Sequence, residues 1–94
     1  MKYDFSPILA PFGAHINRFY LRVSPITGDA VDICLVLIVK PTISNLLCNV
    51  IAQRVVDGMA SIMEDDLREQ AFMFAQDVCY WRYTCQIEVE QYAN

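Results

Sequence analysis

The stretch that most constrains this fold is residues 30–40, in which nearly every side chain is apolar. One set of alternate positions holds Val31, Ile33, Leu35, Leu37 and Val39, and the positions between them hold Cys34, Val36 and Ile38. Side chains of a strand point alternately to its two faces, so a strand with this pattern must be covered on both sides. The sequence therefore predicts a central strand over residues 30–40.

Two further segments alternate in the manner of half-buried strands. In residues 15–23 the apolar and polar positions alternate, with Phe19, Leu21 and Val23 on one side and Arg18, Tyr20 and Arg22 on the other. Residues 83–92 repeat the pattern, with Tyr83, Cys85, Ile87 and Val89 on the apolar side. Pro25 and Gly28 predict a hairpin turn between the first two strands.

A helical pattern separates the second strand from the third. Apolar residues recur every three or four positions from Ile43 to Met63, and the same phase continues to Val78. Gly58 and two capping-box patterns, at Ser61 and Asp66, predict a break. We therefore expect helices over residues 42–60 and 62–81, the first capped by Thr42. One uninterrupted helix over residues 43–81 stays open as the alternative, although it would be roughly 58 Å long.

These elements predict a single α+β domain spanning residues 1–94, in the order ββααβ. The expected architecture is a three-stranded antiparallel sheet with the 30–40 strand at its centre and two helices packed on one face. Residues 1–13 contain Pro7 and Pro11 and are expected to form an extended arm. Their apolar side chains should lie against the core or against another chain.

The composition indicates that the chain associates with itself. Of its 94 residues, 55% are hydrophobic and 19% are charged, whereas a domain of this size buries only about 60–65% of its unfolded surface. Two helices can cover only one face of the sheet. We therefore expect Cys34, Val36 and Ile38, on the other face, to form a self-association surface in a homodimer or higher oligomer.

Charge is unevenly distributed along a chain whose net charge is −4. Five basic and three acidic residues lie in residues 1–54, and two basic and eight acidic residues lie in residues 55–94. An acidic chain is a poor binder of nucleic acid or of a membrane surface, and it suits a protein partner with a basic surface.

Two segments are candidates for binding that partner. The first is an acidic cluster formed by Glu64, Asp65, Asp66 and Glu69. Its ordinary role would be to stabilise a helix N-terminus; the alternatives are a divalent-cation site and mimicry of nucleic-acid phosphate. The second is an aromatic junction between the last helix and the last strand, containing Tyr80, Trp81 and Tyr83. Its composition is typical of an interaction hot spot, and the alternative is that Trp81 covers the end of the hydrophobic core.

A small-ligand function is the alternative. Arg18, Tyr20 and Arg22 would present charge and an aromatic ring on one side of the first strand, which suits a nucleotide or another anion bound between protomers. Edge strands carry charges in any case, because charges oppose unwanted strand pairing.

No catalytic residue, metal site or cofactor is predicted, so we expect a protein that is not an enzyme. His15 is the only imidazole, and the cysteines at positions 34, 48, 79 and 85 form no Cys-x-x-Cys pair. The glycines are too few and too scattered for a phosphate-binding loop. The four cysteines are expected to be reduced, buried thiols.

The chain shows no signal-peptide pattern, and its longest apolar run, residues 33–39, is far shorter than the ~20 residues of a membrane span. The sequence thus predicts a small acidic protein-interaction module in the cytoplasm that binds or inhibits a protein partner. Small acidic domains of this kind are frequent among virally encoded accessory and inhibitor proteins, for which the location would be the host cytoplasm.

Overall fold

The computed structural model describes the backbone of residues 3–74 and 80–91, and the side chains of residues 3–63 and 80–91. Its elements follow in this order: α1 (Ser6–Leu9), a 3-10 turn (Ala10–Phe12), β1 (Ile16–Thr27), β2 (Ala30–Val39), α2 (Asn45–Phe74) and β3 (Tyr80–Val89). The predicted α+β class is confirmed.

The three strands form one mixed sheet in the order β1-β2-β3, so the central position predicted for β2 is confirmed. β1 and β2 are antiparallel neighbours joined by a two-residue turn, and Tyr20 lies opposite Val36. β3 runs parallel to β2, with Gln86 opposite Val36 on the other side. The prediction of an antiparallel sheet is therefore right for β1 and wrong for β3.

The direction of β3 follows from the number of helices between β2 and β3. The structure has one continuous helix, α2, where two were predicted. One helix carries the chain back along the sheet to the end at which β2 begins, and a strand that starts there runs parallel to β2. A pair of antiparallel helices would have returned the chain to the opposite end. The continuous helix corresponds to the alternative that the sequence left open, and the preference for two helices and the wrong direction predicted for β3 have the same cause.

Helix α2 passes through Gly58 without a break, and Ile8 of the N-terminal segment packs against that glycine. A Cβ atom at position 58 would lie 2.7 Å from Ile8 Cδ1 and 2.8 Å from Ile8 Cγ1. Glycine here permits the close approach of α1 to α2, at a cost in helix propensity of about 1 kcal/mol. Ser61, proposed as a cap, lies exposed inside the helix.

The N-terminus of α2 is capped by Ser44, two residues after the predicted Thr42. The Leu47 N–H donates a 3.1 Å hydrogen bond to Ser44 Oγ, and the Cys48 N–H donates to the Ser44 carbonyl at 3.0 Å. A serine hydroxyl that accepts from the third helical N–H satisfies one of the donors left free at a helix start.

Residues 6–12, expected to belong to an extended arm, form α1 and the 3-10 turn. The Ser6 N–H donates to Asp4 Oδ1 at 2.9 Å. Hydrogen bonding by the Ser6 side chain, and to a smaller extent by this backbone N–H, holds the pKa of Asp4 below its usual value. Phe5 and Leu9 are buried against the sheet and α2. The apolar side chains of this segment therefore lie in the core of their own chain.

β1 continues beyond its predicted end at Val23, through Pro25 to Thr27. The pairing with β2 is irregular between Pro25 and Thr27. Proline is tolerated at such a position because an edge strand or a bulge does not require its N–H.

The main core lies between the sheet and α2. Its fully buried members from the two elements are Ile33, Leu35, Leu37, Val39, Ile51, Val55, Met59 and Met63. By length and composition alone, Asn45–Met63 would suffice to cross a membrane. Of that stretch, 22% is buried: Ile51 and Met59 face the core, whereas Arg54 and Asp57 face solvent.

Candidate functional site

The face of the sheet opposite α2 is the candidate functional site, and we call it the open face. Its residues are Arg18, Tyr20 and Arg22 of β1, Asp32, Cys34, Val36 and Ile38 of β2, and Tyr80, Arg82, Thr84, Gln86 and Glu88 of β3. The buried cluster beneath it consists of Cys34, Val36 and Ile38. Among the described residues, that cluster contains no member of α1 or α2.

The predicted self-association residues are already buried within the chain. Cys34 is 2% exposed, Val36 0% and Ile38 6%. The flanking strands place long polar side chains beside them, with Arg22 opposite Cys34 and Gln86 opposite Val36. Such side chains can cover apolar surface with their stems. A second copy is therefore not needed to bury these three residues, which removes the reason for assigning self-association to them.

Arg22 and Gln86 meet over the central strand. Arg22 Nη2 donates a 2.7 Å hydrogen bond to Gln86 Oε1 and lies 3.7 Å from Cys34 Sγ. Gln86 Nε2 in turn donates to Glu88 Oε1 at 2.8 Å. A chain of polar groups thus runs from β1 to β3 above the buried thiol.

Two ion pairs stand beside this network. Arg82 Nε lies 3.0 Å from Asp32 Oδ1, which also accepts a 3.0 Å hydrogen bond from Thr84 Oγ1. Arg18 Nη2 lies 3.6 Å from Glu90 Oε2, just beyond the end of β3. Exposed pairs of this kind contribute about 0–1 kcal/mol each, so they organise the face more than they stabilise the fold.

Two tyrosines project from the open face into solvent. Tyr20 is 45% exposed and Tyr80 is 66% exposed. The sequence assigned them to different candidate sites, and the structure brings them onto one surface, together with three arginines. Tyrosine and arginine are the residue types enriched at the energetic centres of protein interfaces.

The other predicted partner-binding residues are not on this face. Trp81 and Tyr83 point to the opposite side and pack against the main core, so the aromatic junction is divided between the two faces. The backbone of the acidic cluster lies within α2, and its side chains, those of Glu64, Asp65, Asp66 and Glu69, are outside the part of the chain that the structure describes.

Asp32, Arg82, Gln86 and Glu88 belong to the open face and were missed from the sequence. For Gln86 and Glu88 the signal was present in the polar alternation of residues 83–92. Assigning these residues to the open face also requires the direction of β3, because only parallel pairing places Gln86 opposite Val36 and Arg82 opposite Asp32.

A shallow depression of about 440 Å³ lies beside the start of β1. Its lining is formed by Ser6, Leu9, Ala10, Gly13, Ile16, Asn17, Arg18 and Phe19. Arg18 borders it, whereas Tyr20 and Arg22 do not. The three residues of the predicted ligand site therefore share a face without surrounding this concavity.

The described cysteines, at positions 34, 48 and 85, are free thiols, and Cys79 lies outside the described residues. Burial, with a smaller contribution from the neighbouring Cys34, raises the pKa of the Cys85 thiol to about 12. A nucleophilic or metal-binding thiol needs the opposite shift. Across residues 3–63 and 80–91, no three His, Cys, Asp or Glu side chains gather as metal ligands.

Comparison with protein-family models, with curated proteins and with solved structures finds no match for this chain.

Proposed function

We propose that this protein is a non-enzymatic interaction module that binds a protein partner through the open face and that also associates with itself. The observation that supports this proposal is the combination of exposed Tyr20 and Tyr80 with an ordered set of charged groups on a sheet face that lies opposite α2. Rigid aromatic rings supply contact area at low entropic cost, and the paired charges supply polar recognition around them.

The charge balance of the face favours a protein over nucleic acid or a membrane. The three arginines of the face, Arg18, Arg22 and Arg82, are matched by its two carboxylates, Asp32 and Glu88, and by Glu90 just beyond the end of β3. A surface that binds phosphates needs a basic excess, and the whole chain has a net charge of −4. A protein surface with charges of both signs is the complementary partner.

The acidic half of the chain adds a longer-range contribution. Residues 55–94 hold eight acidic and two basic side chains, Glu64, Asp65, Asp66 and Glu69 among them. This field would raise the association rate with a partner that carries a basic patch. Inhibition of that partner, in the cytoplasm, belongs to the same proposal.

Affinity capture with a matched pair of variants tests the proposal. The partner captured by the wild-type chain is identified by mass spectrometry, purified and titrated calorimetrically against each variant. The double variant Tyr80→Ala with Arg82→Ala should weaken binding at least about tenfold, since interface tyrosine and arginine side chains each contribute 1 kcal/mol or more when they lie at a hot spot.

The matched control is Leu46→Ala with Gln53→Ala, on the exposed side of α2. It should change the affinity by less than about twofold. If the α2 control weakens binding of the partner and the Tyr80→Ala, Arg82→Ala variant does not, then α2, not the open face, is the contact surface.

Binding of a nucleotide at Arg18, Tyr20 and Arg22 is the alternative, and it has less support. Arg22 is engaged by Gln86, so an anion would have to displace that hydrogen bond. A thermal-shift series with nucleoside mono-, di- and triphosphates separates the two proposals. A rise in melting temperature that disappears in Arg22→Ala would favour the ligand function.

A further inference from the structure

β1 is the most exposed strand of the sheet. Of its twelve residues, only Ile16, Leu21 and Ser24 are half-buried, and none is buried. It carries a group of large exposed apolar side chains, namely Phe19, Tyr20, Val23 and Ile26. As the terminal strand of the described sheet, β1 also has one edge that pairs with no other described strand. Unpaired backbone groups beside apolar side chains are the features of a strand that adds to another sheet.

We propose that two copies of this chain associate by antiparallel pairing of β1 with β1, which joins their sheets into one of six strands. The inference rests on the self-association in the proposed function and assigns it a surface. A two-fold axis perpendicular to the sheet makes the two copies of β1 antiparallel and keeps both open faces on the same side. The two binding faces then become continuous.

Charge restricts the register of this pairing. Centring the axis on Tyr20 would place Arg18 opposite Arg22 of the second copy, and centring it on Arg22 would place the two copies of Arg22 opposite each other. Like charges directly opposite one another destabilise a strand pair. Centring the axis on Leu21 avoids both arrangements.

The register centred on Leu21 also forms favourable pairs on each face. On the side of α2 it places Phe19 opposite Val23 of the second copy, an aromatic and β-branched pair. On the open face it places Tyr20 opposite Arg22 of the second copy, where the guanidinium can stack on the ring. Symmetry produces each pair twice.

Pro25 and the pairing irregularity beside it limit the length of the new ladder. Proline has no N–H to donate, so regular pairing is confined to Arg18–Ser24 and spans roughly 24 Å. An interface of this size lies at the lower limit of specific association, and we expect a dissociation constant in the micromolar range.

β3, the other terminal strand, is less suited to this role. Its apolar side chains Trp81, Tyr83, Cys85 and Ile87 pack against the main core. The two large apolar side chains of β3 that are exposed, Tyr80 and Val89, lie at the two ends of the strand. α2 also lies closer to β3 than to β1. Phe19 of β1 contacts the Phe5 ring, and Val23 and Ile26 stay exposed.

Opposite charges placed at position 20 test the register. Tyr20→Glu and Tyr20→Lys both remove the ring, but only the glutamate would attract Arg22 of the second copy. Sedimentation equilibrium at low ionic strength should give a dissociation constant at least about fivefold higher for Tyr20→Lys than for Tyr20→Glu. Tyr80→Glu and Tyr80→Lys, on the same face of β3, form the control pair and should not differ.

Each outcome bears on a different claim. If the chain dimerises but Tyr20→Glu and Tyr20→Lys have equal dissociation constants, the β1 interface is overturned, whereas self-association itself is not. A monomer over the whole range from about 1 μM to about 500 μM overturns self-association itself, whereas partner binding through the open face is measured separately by the titration above.

Amide hydrogen exchange of the wild-type chain keeps the inference testable if the variants fail to fold. Outward-facing β1 amides between Arg18 and Ser24 should become protected as concentration rises through the dissociation constant. Exchange that is independent of concentration in this segment would overturn the β1 pairing.

Discussion

Arg22 of β1 and Gln86 of β3 are joined by a 2.7 Å hydrogen bond that passes over the central strand. The guanidinium also lies 3.7 Å from Cys34 Sγ, and Cys34 is 2% exposed. Long side chains from two flanking strands thus cover a short apolar strip that no described helix reaches. The central strand therefore stays buried on this face without a covering helix.

Removing the arginine should uncover the thiol beneath it. In Arg22→Ala we expect alkylation of Cys34 by iodoacetamide to be roughly tenfold faster than in the wild type, because the side chain that shields the sulfur is lost. The free energy of unfolding should fall by about 1 kcal/mol. Mass spectrometry of the labelled peptide measures the rate.

Arg54→Ala is the matched control, since Arg54 is exposed on α2, on the other side of the sheet. It should leave the Cys34 rate unchanged. Equal rates in Arg22→Ala and the wild type would mean that Arg22 does not shield the thiol.

Cys85 should resist alkylation in the folded protein. Its pKa of about 12 leaves roughly one thiolate in ten thousand at pH 8, and only the thiolate reacts. Labelling should become rapid only in denaturant. Fast labelling of Cys85 under native conditions would contradict the burial from which this shift arises.

The same thiol should make stability depend on alkaline pH. The unfolded thiol ionises near its ordinary value of 9.0, whereas the folded thiol stays protonated until about 12. The contribution of Cys85 is therefore complete below pH 9 and is lost as the pH rises from 9 towards 12. Urea unfolding at pH 8 and pH 10 should show a larger loss of stability for the wild type than for Cys85→Ala.

Gly58 and Ile8 should show strong coupling in a double-mutant cycle. Gly58→Ala alone should destabilise the protein by about 1 kcal/mol, because the clash with Ile8 outweighs the gain in helix propensity. In an Ile8→Ala background the same change should stabilise the protein by up to about 1 kcal/mol, since the clash is gone.

The reversal of sign is the decisive feature of this cycle, and chemical denaturation measures it. A Gly58→Ala effect of the same sign and size in both backgrounds would show that Ile8 does not pack against the glycine.

Ser44→Ala should lower the free energy of unfolding by about 1 kcal/mol, because the Leu47 N–H loses its acceptor. Ser44→Asp should retain most of the stability, since a carboxylate caps a helix equally well. Thr42→Ala, at the position favoured by the sequence pattern, serves as the control and should change stability by less than about 0.5 kcal/mol.

Local patterns were sufficient for much of the fold. The two-sided apolar pattern of residues 30–40 predicts the centre of the sheet, and the alternation in residues 15–23 predicts its antiparallel neighbour. Both follow from the two-residue period of a strand, which is a property of the chain itself. Tyr20 and Tyr80 were also singled out from composition, but as members of separate sites.

The tertiary structure decided the path between β2 and β3. Gly58 has the local character of a helix break, yet Ile8, fifty residues earlier in the chain, packs there and makes the glycine a point of close contact within a continuous helix. That continuity sets the direction of β3 and therefore places Gln86 beside Val36 and within reach of Arg22. The periodicity of a segment indicates only which of its faces is apolar. Which distant residues cover that face depends on packing between elements, and here that packing determined both the topology and the open face.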